Sequence, residues 1–432
     1  MSLYEFVHTK IVPPVFVIFF TLAAQLLTFT GRNEPITLSS LLKCSLGNTQ
    51  AWIILFMYIL WVLLFLKIPS RTTSGPVLPS GFEPKYAANG LLFYWSTLAV
   101  FGGVFLSRPD WALALYRMTP ELFGATSITA LLFCVWLLVK GKLFPEEAPE
   151  DGAATAGTLI FDFYRGVELH PTFCGVSVKQ LVISRFGVMA WLLLSLVYFI
   201  ATVQLHGFSY PIVVSALILS LYILKFYHYE STGYYDSIDI CFDRAGYYLI
   251  WGSLVWMPGF FTLHAYNYVA NPPRASPLFS LFCLILGIGA IALTYRIDYE
   301  KYIVRSSPSP NISLHGKPAE VILAEYIDQK GEKRTSRLVA SGFWGMARHF
   351  NYTAEMVVDI LFSAPGYSSG TLSLFYFPPS WLSSYCIGSI AMSESVKKNT
   401  ASIGSCTAVR FLIDLFLGYF KLGMNSNEND FL

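Results

Sequence analysis

The chain has 432 residues, 54% of them apolar and 13% charged, and a formal net charge of +2. A soluble domain carries about 25% charge, so the deficit argues against a disordered chain and against one large soluble globule, while the near-neutral balance excludes a strongly basic nucleic-acid binder. Seven cysteines without a C-x-x-C pair argue against a disulfide framework and a zinc module, and no metal is expected.

A helix needs about 20 mostly apolar residues to cross the ~30 Å hydrocarbon core with every backbone polar group paired internally. In chain order the runs that qualify are Ile11–Thr30, Ala51–Leu66, Gly90–Leu106, Phe123–Val139, Phe186–Gln204, Ser209–Leu224, Ala245–Val269 and Pro277–Tyr295. Two weaker runs follow, Tyr352–Phe377 and Phe411–Phe420. The expectation is an all-α, polytopic membrane protein with nine or ten transmembrane helices. The first run is too long for a removable signal peptide, and no internal repeat points to a repeat-built transporter.

Two long segments interrupt the spans. Lys140–Arg185 opens with the acidic, Ala/Gly-rich Glu146–Gly157; Arg296–Arg348 holds nine Lys/Arg against six Asp/Glu. A Lys/Arg excess beside span ends marks the cytoplasmic side, which puts Arg296–Arg348 in the cytosol; glycosylation of the Asn311 sequon would contradict that placement. The resulting division is 1–140 N-terminal helices, 141–185 connecting loop, 186–377 core and 378–432 divergent tail.

Ionisable groups at membrane depth are costly and mark function by default. The densest set is Glu230, Asp236, Asp239, Asp243 and Arg244, just before a run containing Trp251, Trp256, His264 and Tyr266. It reads equally as an interfacial aromatic belt with a satisfied ion pair or as the wall of a cavity for a flat apolar ligand. Lys301 and Arg305, four apart on one helix face, are spaced to hold a phosphorylated ligand, although such pairs commonly only snorkel. Gly342–Tyr352 packs two glycines with Trp344, Arg348, His349, Asn351 and Tyr352 into eleven residues at the mouth of a span. Cations for phosphate, an amide for a base or nicotinamide, and an indole for stacking read as a nucleotide cofactor site.

Ser341–Tyr352, read as S-G-F-W-G-M-A-R-H-F-N-Y, resembles the G-[FW]-W-G-x-[AS]-R-H-x-x-Y element of the sterol reductases. Gly157–Thr172 is similar to that family's first signature and departs from it at Phe161, His170 and Thr172. Gly75–Gly90 and Ile238–Pro258 agree in order and spacing, so the likeness runs from about residue 75 to 377. The Phe350 position and the long Lys317–Arg337 insert resemble the 7-dehydrocholesterol reductase branch. The resemblance implies an NADPH site built by the C-terminal helices on the cytosolic side. Lys301 and Arg305 would meet phosphates and Val339 and Trp344 would lie beside the ring system. Arg348, His349, Asn351 and Tyr352 would complete the cofactor contacts.

The family's second signature, H-R-x-x-R-D-E-x-x-C-x-x-K-Y-G, is absent from the sequence, whose tail Pro378–Leu432 is Ser-rich and without an amphipathic period. Read from the third base of permitted codons, Tyr385–Ile403 spells L-H-R-x-x-R-D-E-R-K-C-K-K-K-Y-G-K-Y-W. Arg410–Phe420 then permits V-P-Y-R-L-I-P-G-I-F followed by a stop. The expectation is a tail frame-shifted from near Pro378.

An isolated ring alkene is not polarised, so the chemistry the resemblance implies is protonation of one carbon followed by hydride addition to the tertiary cation. That requires an acid in a dry apolar cavity with aromatic faces. The candidate acids are Glu355, Asp239 and Asp243, with Tyr266 as a relay. The expected function is NADPH-dependent saturation of a sterol delta-7 double bond by a multi-pass protein of the endoplasmic reticulum membrane, with a sterol and the bilayer as partners and no nucleic acid. The alternatives are delta-14 reduction, or sterol binding without catalysis if the tail stands as written. Oligomeric state is not legible.

Overall fold

The computed structural model describes residues 6–30, 36–78, 80–148, 158–307, 312–327, 333–346 and 350–369. The chain divides into two compact units, Met1–Ile291 with Val358–Leu374, and Ala292–Val357 with Phe375–Leu432.

Helices dominate. Those that position the argument are α1 (Val7–Leu27), α2 (Leu38–Ser45), α3 (Thr49–Lys67), α4 (Gly90–Ser107), α5 (Asp110–Arg117), α6 (Thr119–Leu143), α7 (Leu159–Arg165), α8 (Gln180–His206), α9 (Tyr210–Tyr229), α10 (Leu263–Ala270) and α11 (Pro277–Ser306). The short helices α12 (Phe343–Met346) and α13 (Phe350–Ser363) follow. Four two-stranded antiparallel hairpins join them: β1 (Thr72–Ser74) with β2 (Lys85–Ala87), β3 (Thr172–Phe173) with β4 (Val176–Ser177), β5 (Ser313–Leu314) with β6 (Lys317–Pro318), and β7 (Val321–Ile327) with β8 (Lys333–Val339).

Seven stretches among the described residues are long and apolar enough to cross a membrane: Val7–Leu27, Leu38–Lys67, Gly90–Ser107, Thr119–Leu143, Gln180–His206, Tyr210–Tyr229 and Pro277–Ser306. Their outward faces are apolar. On α1 the residues Val15, Ile18, Phe19 and Leu22 are exposed, and on α11 Leu278, Leu281, Phe282 and Ile285. Each set repeats at i, i+3, i+4 and i+7, a continuous stripe that water would penalise and lipid tails accept. The chain is an integral membrane protein. Inside the first unit, α8 packs against α5, α9 and α10 around a core holding Tyr198, Phe199, Tyr266 and Tyr268.

The expected span Ala245–Val269 is not one helix. It is a helix over Tyr247–Phe260 whose middle, Gly252–Trp256, is wound as π-helix, then a two-residue turn and a separate helix, Leu263–Ala270. Pro258 contributes no N–H to a helical ladder, and the Thr262 hydroxyl donates to the Pro258 carbonyl at 2.6 Å, satisfying an oxygen freed at the break. Of Tyr352–Phe377 the described part is α13, which runs 14 residues, and a 3₁₀ turn, Ala364–Ser369; residues 370–377 lie outside the described residues. At 1.5 Å per residue such a helix is about 21 Å long, short of the hydrocarbon core. Nine or ten helices are thus not reached among the described residues; Phe411–Phe420 lies outside them.

The connecting loop is tied by buried ions. Lys140 pairs with Glu168 at 2.8 Å and Lys142 with Asp162 at 2.7 Å. The Glu147 carboxylate accepts the backbone N–H groups of Leu169, at 2.8 Å, and of His170. Gly166, at φ +94°, approaches Gly246 so closely that a Cβ on it would lie 2.5 Å from the Gly246 nitrogen. Only glycine fits such a backbone crossing. The remainder of Glu146–Gly157, from residue 149, lies outside the described residues.

Candidate functional site

In the second unit, α11 buries Ile297, Glu300 and Val304 along one face and carries Lys301 and Arg305 beyond it. The indole N–H of Trp344, on α12, donates to the Ile297 carbonyl at 2.9 Å, which fixes the ring beside α11. The Lys301 ammonium then lies 5.3 Å from the ring centroid, within cation–π range. Arg305, one turn on, is exposed and makes no ion pair among the described residues. The structure therefore brings together Lys301 and Trp344 and leaves Arg305 open on the same helix.

The turn after β8 delivers Trp344. Val339 pairs with Val321 in register, the Ala340 N–H donates to the Glu320 carbonyl at 2.9 Å, and the Ser341 hydroxyl accepts the Glu320 N–H at 2.9 Å. Gly342 reverses the chain at φ +62°. Beyond it, Asn351 on α13 donates through Nδ2 to Asp298 at 3.4 Å, while its Oδ1 is buried without a hydrogen-bond partner among the described residues. A buried acceptor left unmatched costs about 1–3 kcal/mol, so the atom fits a ligand donor such as an amide N–H. Tyr352 and Glu355 are half-buried on α13; Glu355, four residues after Asn351, shares its face. Arg348 and His349 lie outside the described residues, as do Asn311 and Pro378–Leu432.

The donor set fits a nicotinamide nucleotide: two cations one turn apart, an indole beside one of them, and an orphaned amide oxygen. Two contributors are not apparent from the sequence motifs. Glu300, buried beside Lys301, accepts from His315 Nε2 at 2.6 Å and from the Phe343 N–H at 3.2 Å. Tyr295, Tyr299 and Tyr302 stack along α11 with centroids 5.9 and 6.3 Å apart, a ridge readable only as the i, i+4, i+7 spacing.

The remaining acid candidates lie in the first unit. Asp239 is exposed, and its backbone carbonyl accepts from the buried Lys179 ammonium at 2.9 Å. The protein mass around Asp239 raises its carboxyl to about 6, the charge of Asp243 adding to this and Lys179 opposing it. Its accessible surface weighs more than that shift, because a carboxyl in reach of water is not held in a dry cavity. Asp243 is ion-paired with Arg165 at 3.1 Å. Tyr266 is buried, packed on Tyr198 and Tyr116 with centroids 5.2 and 5.0 Å away, and its hydroxyl donates to the Thr28 carbonyl. The cavity beside it, lined by Thr28, Thr119, Tyr198 and Thr262, has a volume of about 10 Å³, enough for a single water. Of the other two carboxylates of this set, Asp236 is exposed and Glu230 is consumed by Arg185, whose Nη1 lies 2.6 Å away with both side chains buried. The satisfied-pair reading therefore holds for Glu230.

Residues 3–379 match the model of the ergosterol biosynthesis ERG4/ERG24 family. The chain belongs to this family. It is 33% identical to the 7-dehydrocholesterol reductase of Arabidopsis thaliana over 76% of its own length and 75% of the relative's. It is 27% identical to the delta(14)-sterol reductase of the same plant over 77% and 86%. The 7-dehydrocholesterol reductase of Xenopus laevis is 28% identical over 70% of this chain, which spans 64% of that relative. Sterol reductases are oxidoreductases of sterol biosynthesis.

Proposed function

We propose that the chain reduces the delta-7 double bond of a 7-dehydrosterol with NADPH, in the endoplasmic reticulum membrane, with Arg296–Arg348 on the cytosolic face. The observation that carries this reading is the Lys301–Trp344 pair beside the orphaned Asn351 oxygen. The 33% identity to a plant 7-dehydrocholesterol reductase, against 27% to a delta(14)-sterol reductase, supports the delta-7 assignment.

NADPH, when bound, supplies the hydride. Lys301 and Arg305 would neutralise its phosphates, with Arg305 able to grip two oxygens at once. Trp344 and Val339 would flank its rings, Asn351 would offer its buried oxygen to an amide, and Tyr352, Arg348 and His349 would complete the contacts. Glu355, one turn from Asn351 on the same face of α13, is the donor proposed for the alkene. Asp239, Asp243 and Tyr266 are less suited, being exposed, ion-paired and engaged to a backbone carbonyl respectively.

The tail is best explained as frame-shifted from near Pro378. The family match ends at residue 379, beside the position where the shifted reading begins. Two forms should be expressed, the chain as written and one with the shifted tail restored, and the loss of 7-dehydrosterol followed with NADPH. The restored form is expected to consume substrate. No consumption by either form would refute the delta-7 reading, and consumption by the written form would show the second signature to be dispensable. Glu355→Gln is expected to abolish turnover while NADPH binding is retained; undiminished turnover would remove Glu355 as donor.

A further inference from the structure

We infer that Glu300 and His315 form a positioning pair that holds the cofactor-phosphate residues in place, an inference that rests on the cofactor reading above. Glu300 sits one residue before Lys301 with its carboxylate 1% exposed. That carboxylate joins three separate segments. One oxygen accepts from His315 Nε2 at 2.6 Å, in the β5–β6 turn. The other accepts the Phe343 N–H at 3.2 Å, on the residue adjoining Trp344. The third segment is α11 itself, where Arg296 approaches the carboxylate at 3.5 Å.

The surrounding backbone is shaped to permit this. Gly342 is in the left-handed region at φ +62°, and a Cβ there would lie 2.5 Å from Glu300 Oε2. His315 is also left-handed, at φ +53°, a conformation uncommon for residues other than glycine. Its ring is placed between Glu300 and the Phe343 ring, whose centroid is 4.9 Å away in an edge-on arrangement. A side chain kept at a position that favours glycine is kept for what its ring does. Here it fixes the carboxylate that fixes the N-terminus of α12, and with it the indole that Lys301 covers. Neither residue of the pair needs to touch the nucleotide. They act through Trp344 and Lys301.

The test is equilibrium binding of NADPH to the full chain in detergent, read by quenching of tryptophan emission, with thermal melting measured in parallel. His315→Ala should weaken NADPH binding roughly tenfold, the loss of one charge-assisted hydrogen bond, and lower the melting temperature because the buried Glu300 carboxylate loses a donor. His315→Gln, whose amide N–H can still donate to Glu300, should stay within about threefold of the unaltered chain. Arg305→Ala serves as the control for the cofactor reading. If Arg305→Ala weakens binding and His315→Ala does not, the positioning pair is refuted and the cofactor site stands. If His315→Ala and His315→Gln weaken binding equally and both melt early, the histidine is only structural and the inference fails. If Arg305→Ala leaves binding unchanged, the cofactor reading falls and this inference with it.

Discussion

Two buried or half-buried cations, Arg185 and Lys301, meet different fates in the two units. Arg185 is fully buried against the Glu230 carboxylate at 2.6 Å. It also donates to Asn89 at 2.9 Å and to the Ala87 carbonyl at 3.2 Å, and Phe93 and Tyr227 lie at its faces. Lys301 instead lies over an indole, with exposed Arg305 on the next turn. A charge at membrane depth such as Arg185 announces a role by its cost. What separates scaffold from site is that Arg185 is matched by a buried carboxylate, whereas Arg305 is exposed and makes no ion pair among the described residues.

The sharpest way to break that distinction is to remove the counter-charge in the first unit. Arg185→Met leaves Glu230 buried without its partner, and stranding one member of a buried pair costs about 3–5 kcal/mol. The variant should melt far below the unaltered chain or fail to accumulate in membranes. Retention of the normal melting temperature would show that the pair is not structural.

The apolar runs made most of this scaffold legible. Seven stretches follow directly from the length of uncharged sequence, because a backbone in lipid has few alternatives to a helix. The run Ala245–Val269 was not legible as broken, since composition averages over Pro258 and the local π-winding while hydrogen bonding does not. In the site, Trp344, Lys301 and Asn351 stand out as residue types that bland interface segments rarely combine. Glu300 and His315 do not, because their meeting depends on a two-residue turn that brings a loop histidine back onto α11. Tyr266, attractive by type, is committed to the Thr28 carbonyl, a partner 238 positions away that no local pattern reveals.

A second test uses pH on the first unit's loop. His170 is buried, and burial, with the nearby charge of Lys179, lowers its pKa from 6.5 to about 3. The unfolded chain therefore takes up a proton near pH 6.5 that the folded chain refuses until about pH 3. Stability held above pH 6.5 is lost as pH falls through that window, by up to about 2 kcal/mol between pH 6.5 and 5. His170→Gln should flatten this part of the melting-temperature profile, and an unchanged slope would mean that His170 is not the group responsible.

On the site side the expected effect is smaller and of another kind. Arg305→Ala or Trp344→Ala should raise the NADPH dissociation constant about tenfold, or roughly 1.4 kcal/mol, with melting unchanged in Arg305→Ala, because Arg305 is exposed and pairs with no carboxylate among the described residues. A large fall in melting temperature with unchanged affinity would reverse the comparison and make these residues scaffold.

The smallest effect expected falls where site and scaffold meet. Gly342→Ala adds one methyl group at a left-handed φ, a strain of about 1 kcal/mol, and aims it at Glu300 Oε2, 2.5 Å away. The carboxylate is held by His315 on one oxygen and by the Phe343 N–H on the other, so it has little freedom to retreat. The chain should relieve the overlap by moving the Ser341–Met346 turn, the softer of the two elements, since α11 is anchored through its buried Ile297 and Val304 face. That displacement carries Trp344 away from Lys301. Gly342→Ala should thus weaken NADPH binding several-fold while melting falls by only a few degrees. Equal binding at a reduced melting temperature would show instead that the turn absorbs the methyl group without moving the indole.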